Sequence, residues 1–498
     1  MSSIHEQAMN YVYQQVLQRV LSYFTRAERT ALQLLIQRLI VAAGGIERIG
    51  SFKVMIAFGG GKDSAYTVAF MRAAQLSIAG RSPATFNLRV ATLRHAGITS
   101  AVMGNIHRSY SALFLYDDPR VEVLMVDQQQ IRPFRVDLPF STAGRECNRS
   151  DMLLTGHMTA GDARATFCNS CYLGLGDFFA RAACWGTGID ALVSGDSRKE
   201  QKQYAAWVMR LAEGLEVPAS DWRNQSFNGV LKTLNSVGHA YYRELYEEGA
   251  EPAGRLVAYP NKSVVPAFIT IFDLVSCKAD DHWPLLTDFL GFQFDDLAFS
   301  FSESDCANPM LMAHMRGLQA HYVRGRSYQE GIAEYLEVAK GLMCKKQMPE
   351  RLIEQAMAAY DGNQNIEGRR ALASEHAQEA FGLNDAQLVC LLFAPFVDSG
   401  RALEAFLRRC HPGMLVALPD LHKALMGLQV PEQVLQWLID ISGLSKVGLQ
   451  SLYRKKRVDF GDQTSLIARV RASDPDKRSI VTVDPKTGEA TAEIVSGR

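Results

Sequence analysis

The sequence has no excess of charge of either sign. Its 498 residues include 53 lysines and arginines and 53 aspartates and glutamates, so the formal net charge is zero. A protein that binds nucleic acid mainly through the phosphate backbone normally carries a basic excess. The composition therefore argues against a bulk nucleic-acid binder, although a defined RNA substrate stays open.

The chain also lacks any run of about 18 apolar residues, which is the length that a membrane-spanning helix needs. Its first residues, Met1-Ser-Ser-Ile-His-Glu, show no signal-peptide pattern. We therefore expect a cytoplasmic protein with no membrane partner. In that compartment the nine cysteines are expected to be thiols or metal ligands, because disulfides are rare there.

Apolar runs alternate with helix-length segments after about residue 52. Such runs predict β-strands at residues 54–58, 88–93, 121–127 and 189–195. A helix is expected over residues 172–185, just before the fourth strand. Strands separated by helices indicate an α/β fold, with a parallel sheet and helices on both of its faces.

The flanks of this α/β segment have helical periodicity instead. At this length the prior expectation is about three domains. We predict a helical N-terminal region over residues 1–50, an α/β domain over residues 51–310 and a mainly helical region over residues 311–498. Alternating residues around a Pro-Lys-Thr-Gly turn predict that the last region ends in a β-hairpin, over residues 480–495.

The most informative segment follows the first predicted strand. It reads Gly59, Gly60, Gly61, Lys62, Asp63 and Ser64. Glycines permit a tight turn, and the backbone N–H groups at the start of the following helix attract an anion. Lys62 adds a positive charge and Ser64 a hydroxyl group. A polyphosphate is therefore the expected ligand.

Two common phosphate loops do not fit this segment. The Walker pattern needs Ser or Thr after Gly-Lys, where this chain has Asp63, and the dinucleotide pattern needs glycine where it has Ser64. The segment instead resembles the S-G-G-x-D-S loop of the PP-loop ATP pyrophosphatase superfamily, with Gly59 where the family usually has its first serine. The resemblance implies an adenine nucleotide alpha hydrolase-like fold. It also implies cleavage of ATP to AMP and pyrophosphate, with adenylation of a carbonyl-type oxygen on the acceptor.

In this interpretation Lys62, Asp63 and Ser64 are the catalytic residues, and the three glycines bind the phosphates. Mg²⁺ would bridge phosphate oxygens, with Asp63 and Asp196 as its protein contacts. Ligands of parallel sheets lie beyond the carboxyl ends of the strands. Further nucleotide-binding residues are therefore expected where the predicted strands end, at Arg94, Asp127, Gly195, Asp196 and Ser197.

Cysteines form the second group of candidate residues. Cys168 and Cys171 form a C-x-x-C pair, interpreted as a loop before the helix at residues 172–185, and Cys306 lies in a polar segment. Two thiolates at this spacing can bind one metal centre or form a redox pair. With the glycine loop, the three cysteines resemble the iron–sulfur thiolation members of the superfamily. There, three cysteines hold a 4Fe–4S cluster whose open iron binds hydrosulfide, and sulfide then displaces AMP.

Several alternatives stay open at this point. The cysteines fit a four-cysteine zinc site if Cys147 joins them, or they are unliganded thiols. The same ATP site also suits an amidotransferase or amide synthetase that takes ammonia from a partner. A nucleotide-binding scaffold without catalysis is the alternative outside the enzymes.

The partners follow from these hypotheses. A sulfur donor is required if thiolation is the reaction. A small-molecule or carrier-linked acceptor is favoured over tRNA because the charge is balanced, and the N-terminal helices are a candidate homodimer interface.

Overall fold

The computed structural model describes residues 3–127, 130–194, 198–213, 215, 227–246, 266–275, 282–295, 306, 308–345, 348–472, 477–483 and 490–496. The chain divides into two compact units. We call them the sheet unit, which comprises Met1–Phe140, Leu175–Ser236 and Gly254–Asp295, and the helical unit, which comprises Ser141–Gly174, Val237–Ala253 and Asp296–Arg498. The domain boundaries predicted after residues 50 and 310 stay a prediction.

A six-stranded, mostly parallel sheet forms the centre of the sheet unit. Its strands are β1 Lys53–Ala57, β2 Asn87–Arg94, β3 Val121–Asp127, β4 Gln130–Pro133, β5 Ala191–Ser194 and β6 Ala267–Thr270. They lie in the order β4-β3-β2-β1-β5-β6, and only β4 pairs antiparallel with its neighbour. The four predicted strands are confirmed to within about two residues at each end. The sequence did not predict β4 and β6, which have four residues each and form the two edges.

The described ranges contain eight helices before residue 246. They are α1 Ser3–Tyr23, α2 Arg26–Ala42, α3 Lys62–Ala79, α4 Ser100–Ala112, α5 Thr142–Met158, α6 Ala163–Cys184, α7 Arg198–Ala212 and α8 Phe227–Leu245. The predicted N-terminal helical run is divided at Thr25, whose side chain accepts a hydrogen bond from the Glu28 amide while Glu28 caps the Thr25 amide in return. This reciprocal capping box starts a new helix at Arg26.

Helices cover both faces of the sheet, as predicted. Val54 and Ile56 of β1 belong to one apolar core together with residues of α3 and α4. Met55, on the opposite face of the same strand, belongs to a second core with Phe178 and Ala182 of α6. A strand that is buried on both faces has a continuous apolar sequence, which explains why β1 was predictable.

The helical unit continues as a series of short helices, as the sequence predicts. They are α9 Pro309–Leu318, α10 Tyr328–Lys345, α11 Glu350–Ala358, α12 Gly362–His376, α13 Asp385–Phe393, α14 Leu403–Cys410, α15 Leu418–Leu425, α16 Glu432–Ser442, α17 Lys446–Arg454 and α18 Leu466–Ala472. Two antiparallel strands, β7 Lys477–Val483 and β8 Ala490–Ser496, lie where the hairpin was predicted. The predicted Pro-Lys-Thr-Gly turn lies outside the described residues. No helix in the described ranges is long and apolar enough to cross a membrane.

Short 3-10 and π-helical segments connect several of these elements. The 3-10 segments are Ile46–Ser51, Asp398–Gly400 and Pro412–Ala417, and the π segments are Leu285–Phe289, Gln319–Val323 and Ala377–Phe381.

Candidate nucleotide site and cysteine cluster

The glycine loop joins β1 to α3 and makes a turn that requires glycine. Gly60 has a φ of +80°, a backbone conformation that side chains disfavour. A Cβ atom at this position would also lie 2.7 Å from Cγ1 of Val102 in α4. Both the backbone and the close approach of α4 therefore explain the glycine at position 60.

Helix α3 begins directly after the loop, at Lys62. Gly61 precedes the helix in an extended conformation, and no side chain of the described residues caps this end. The Ser64 hydroxyl donates to the Gly61 carbonyl at 3.0 Å, and the Ala65 amide donates to the same carbonyl at 3.0 Å. A helix start without a side-chain cap presents backbone N–H groups and the positive end of the helix dipole to an anion.

Lys62 and Asp63 carry opposite charges at this helix start. The Lys62 Nζ lies 2.8 Å from Asp63 Oδ2, and the side chains are 26 % and 53 % exposed. Exposed ion pairs contribute little to stability. This ion pair therefore contributes little to holding the two side chains in place.

The loop lies where ligands of α/β sheets usually bind. Strand β1 lies between β2 and β5, so the strand order reverses there. Because β1, β2 and β3 are parallel, their carboxyl ends lie at the same end of the sheet. The predicted residues Arg94 and Asp127, which end β2 and β3, therefore lie at the same end of the sheet as the loop. In open α/β sheets, ligands usually bind in the crevice beyond the carboxyl ends of the strands, at the point where the strand order reverses.

Arg94 and Asp127 both have protein partners. The Arg94 guanidinium donates to the Ile98 carbonyl at 2.9 Å. The Asp127 carboxylate is buried and forms an ion pair of 2.8 Å with Arg132 in β4. Their contact with a nucleotide stays a prediction. The predicted residues Gly195, Asp196 and Ser197 lie outside the described residues.

The C-x-x-C pair lies within helix α6, so its interpretation as a loop was wrong. The helix begins at Ala163 and not near residue 172. The Asp162 side chain accepts a hydrogen bond from the Ala165 amide at 2.8 Å, which is typical of a helix N-cap. An aspartate directly after Gly161 was the signal in the sequence for this earlier start.

The structure brings together two of the three predicted cysteine ligands. The sulfur atoms of Cys171 and Cys306 lie within 4.8 Å of each other. Tetrahedral zinc with sulfur at about 2.3 Å implies a sulfur–sulfur distance of about 3.8 Å, so a small adjustment would let both hold one ion. Among the described residues, neither Cys147 nor Cys168 joins them in a group of three or more potential metal ligands.

Cys168 has a different partner, which the sequence did not reveal. The Arg164 Nη1 donates to the Cys168 sulfur at 3.2 Å, and both residues are buried. Arg164 also lies over the Tyr172 ring at 4.8 Å. Residues four apart face each other on a helix, so Arg164 could be found from the sequence only after the helix start had been placed correctly.

The remaining described cysteines do not form a further metal site. Burial, with the nearby Cys410, raises the pKa of the Cys390 thiol, and burial raises the pKa of Cys410 to about 11. Both thiols therefore stay protonated at neutral pH and are poor metal ligands. Cys184 and Cys147 are half-buried and Cys344 is exposed.

Comparisons with known proteins do not identify the chain. No family model, no curated protein and no solved structure matches it.

Proposed function

We propose that the chain is an ATP-dependent adenylating enzyme of the PP-loop type, with an adenine nucleotide alpha hydrolase-like fold in its sheet unit. It would cleave ATP to AMP and pyrophosphate and transfer AMP to a carbonyl-type oxygen. One observation carries the proposal. A turn that requires glycine at position 60 ends β1 at the reversal of strand order, and Lys62, Asp63 and Ser64 follow at once on the first turn of an uncapped helix.

Each loop residue has a role in this proposal. The backbone N–H groups from Gly59 to Gly61 and at the start of α3 would bind the phosphates. Lys62 would neutralise the charge that develops as pyrophosphate leaves, and Ser64 would offer a hydroxyl group. Asp63, which is half exposed, would contact Mg²⁺ bound to the phosphates.

Sulfur as the nucleophile is the second part of the proposal. The approach of Cys171 and Cys306 supports a metal centre, which the proposed sulfur chemistry needs and transfer of ammonia does not. Cys168 contacts Arg164, and a 4Fe–4S cluster on Cys168, Cys171 and Cys306 stays a prediction. We therefore derive no step through a cluster, and zinc stays the alternative. The sulfur donor, the cytoplasmic location, the homodimer and the acceptor stay predictions.

Binding measurements test the nucleotide site without knowledge of the acceptor. Calorimetric titration with Mg-ATP and with pyrophosphate is expected to show binding that Lys62→Ala weakens by about tenfold or more, as expected for loss of a charge-assisted contact. Lys53→Ala is the matched control. Lys53 opens β1, at the end away from the loop, and its Nζ contacts the Thr187 hydroxyl. Equal binding by the wild type and Lys62→Ala would contradict the proposed site.

A further inference from the structure

A buried carboxylate in the sheet unit has four polar contacts. Glu28 is 6 % exposed. Its Oε1 accepts from the Tyr66 hydroxyl at 2.8 Å and lies 3.1 Å from Nδ1 of His282. Its Oε2 accepts from the Thr25 amide at 2.7 Å and from the Thr25 hydroxyl at 2.8 Å. An ionised carboxylate has about four lone-pair positions, so this arrangement suits the charged form of Glu28.

The hydrogen bonds keep Glu28 charged despite its burial. Burial alone would raise the pKa of Glu28, but the close approach of His282 and the hydrogen bonds from Thr25 and Tyr66 outweigh it and lower the pKa to about 2. Breaking such a network leaves buried donors without an acceptor, which costs more than the average hydrogen bond gains.

Tyr66 connects this carboxylate to the glycine loop. It lies four residues after Lys62 in α3, which is about 6 Å along the helix axis. Its ring is buried and stacks on the His282 ring, with centroids 3.8 Å apart. The second turn of α3 is thereby tied to α2 and to His282.

Residues 282–295, the segment that begins at His282, also form hydrogen bonds with α4. Helix α4 packs against Gly60. Asn105 of α4 donates to the Gln293 carbonyl at 2.8 Å and accepts from the Gln293 amide at 2.9 Å. Arg108 of α4 donates to the Gly291 carbonyl at 2.7 Å. Residues 282–295 therefore contact both helices that border the glycine loop.

We propose that Glu28 is a positioning residue for the phosphate-binding loop, and that it acts by fixing Tyr66 of α3 and His282 in one arrangement. This inference rests on the proposed function, since it assigns how the loop keeps its geometry for pyrophosphate. Binding groups must be held to within about 0.5 Å by the residues behind them, and misplacement lowers affinity steeply. Glu28 does not touch the nucleotide in this scheme.

Glu28→Gln is the test, because it keeps the size of the side chain and replaces one acceptor oxygen by an N–H donor. We expect pyrophosphate affinity to fall by about tenfold, equivalent to about 1.4 kcal/mol, while adenosine affinity changes by less than about twofold. Titration calorimetry, well below the melting temperature of the protein, measures the affinity for pyrophosphate and the affinity for adenosine. A general loss of stability would not separate the two ligands in this way.

Asp118→Asn is the matched control. Asp118 is also a buried carboxylate tied to α3, through Arg72 at 2.8 Å. Arg72 lies ten residues after Lys62, about 15 Å along the axis. The control should lose stability and keep its pyrophosphate affinity. If Glu28→Gln fails to fold, Tyr66→Phe removes only the hydroxyl and keeps the ring stacked on His282, with the same expectation.

The outcomes separate this inference from the proposed function. If the wild type binds pyrophosphate and Glu28→Gln binds it equally well, the positioning role is wrong and the proposed function stands. An equal loss with Asp118→Asn also overturns the positioning role, because it would reflect stability alone. If the wild type binds neither ATP nor pyrophosphate, the proposed function itself fails.

Discussion

Two buried ionisable side chains, one in each unit, are held in opposite charge states. In the sheet unit, Glu28 keeps its charge because hydrogen-bond donors surround it, and its pKa falls to about 2. In the helical unit, His157 of α5 is fully buried, and neither ring nitrogen has a hydrogen-bond partner among the described residues. Burial lowers the pKa of His157 to about 3, so its ring stays neutral. Glu28 contacts Tyr66, which lies about one helical turn after Lys62 in α3, whereas His157 lies beside the Phe396 ring.

This difference predicts different responses to acid. Both groups have a lower pKa in the folded chain than in the unfolded chain, so each contributes stability that is lost as the pH falls. The loss from His157 begins below its ordinary pKa of 6.5 and continues to about pH 3. The loss from Glu28 begins only below 4.5 and continues to about pH 2. Mild acid should therefore weaken the helical unit first.

The largest expected effect is a loss of ATP turnover on substitution of Lys62 in the sheet unit. Lys62→Ala should lower turnover of ATP by about 10²–10³, the usual loss when one donor to the transition state is removed. The physical reason is that Lys62 is the lysine directed at the leaving pyrophosphate in the proposed mechanism. Pyrophosphate release by the purified protein measures the effect, with Lys53→Ala as control. Turnover within a few-fold of the wild type would remove Lys62 from the mechanism.

The second effect sharpens the acid comparison. Between pH 6.5 and pH 5 the buried His157 should cost the helical unit about 2 kcal/mol of its free energy of unfolding. Hydrogen exchange of amides in α5, compared with those in α3, reports each unit separately. His157→Met should abolish the pH-dependent loss in α5, and His321→Gln, at an exposed histidine of the same unit, should leave it unchanged. Equal acid sensitivity of α3 and α5 in this range would contradict the comparison.

A third effect concerns the shape of the glycine loop. Gly60→Ala should cost about 1–2 kcal/mol for its positive φ alone, in addition to the contact with Val102. ATP affinity should fall by about tenfold as the loop moves. Gly80→Ala at the end of α3 is the control, since its φ is −76° and the nearest atom to an added Cβ lies at 3.6 Å. Unchanged ATP affinity in Gly60→Ala would show that the turn does not set the binding geometry.

The smallest effect on the nucleotide is expected from the helical unit. Cys171→Ser and Cys306→Ser should each remove bound metal, because one sulfur of the pair would be lost, while ATP affinity stays within about twofold. Metal analysis after anaerobic purification measures this, and Cys184→Ser should keep the metal. The ligand set predicted from the sequence requires that Cys168→Ser lose the metal too. A wild-type protein without iron or zinc would refute the metal centre.

The sequence predicted those parts of the fold that depend on a pattern of residues adjacent in the chain. Strand β1 is an apolar run that ends at glycines, and α3 follows those glycines directly, at Lys62. Most residues of the edge strands β4 and β6 are exposed or half-buried, so neither strand has a buried apolar run such as the one that marked β1.

The parts of the site that were missed depend on distant residues. Glu28, Tyr66 and His282 are widely separated along the chain, and nothing in the local sequence of any one of them indicates the other two. The role of Arg164 was missed for a different reason, because the N-cap at Asp162 was overlooked and the start of α6 was misplaced.

The identity of the products tests the central claim most directly. The purified protein is incubated with a small-molecule cell extract as the source of acceptor, with sulfide or ammonia, and with ATP labelled at the α or the γ phosphate. The account predicts that the α label appears in AMP and the γ label in pyrophosphate, and that Lys62→Ala abolishes most of both signals. Formation of ADP and inorganic phosphate as the main products would contradict it.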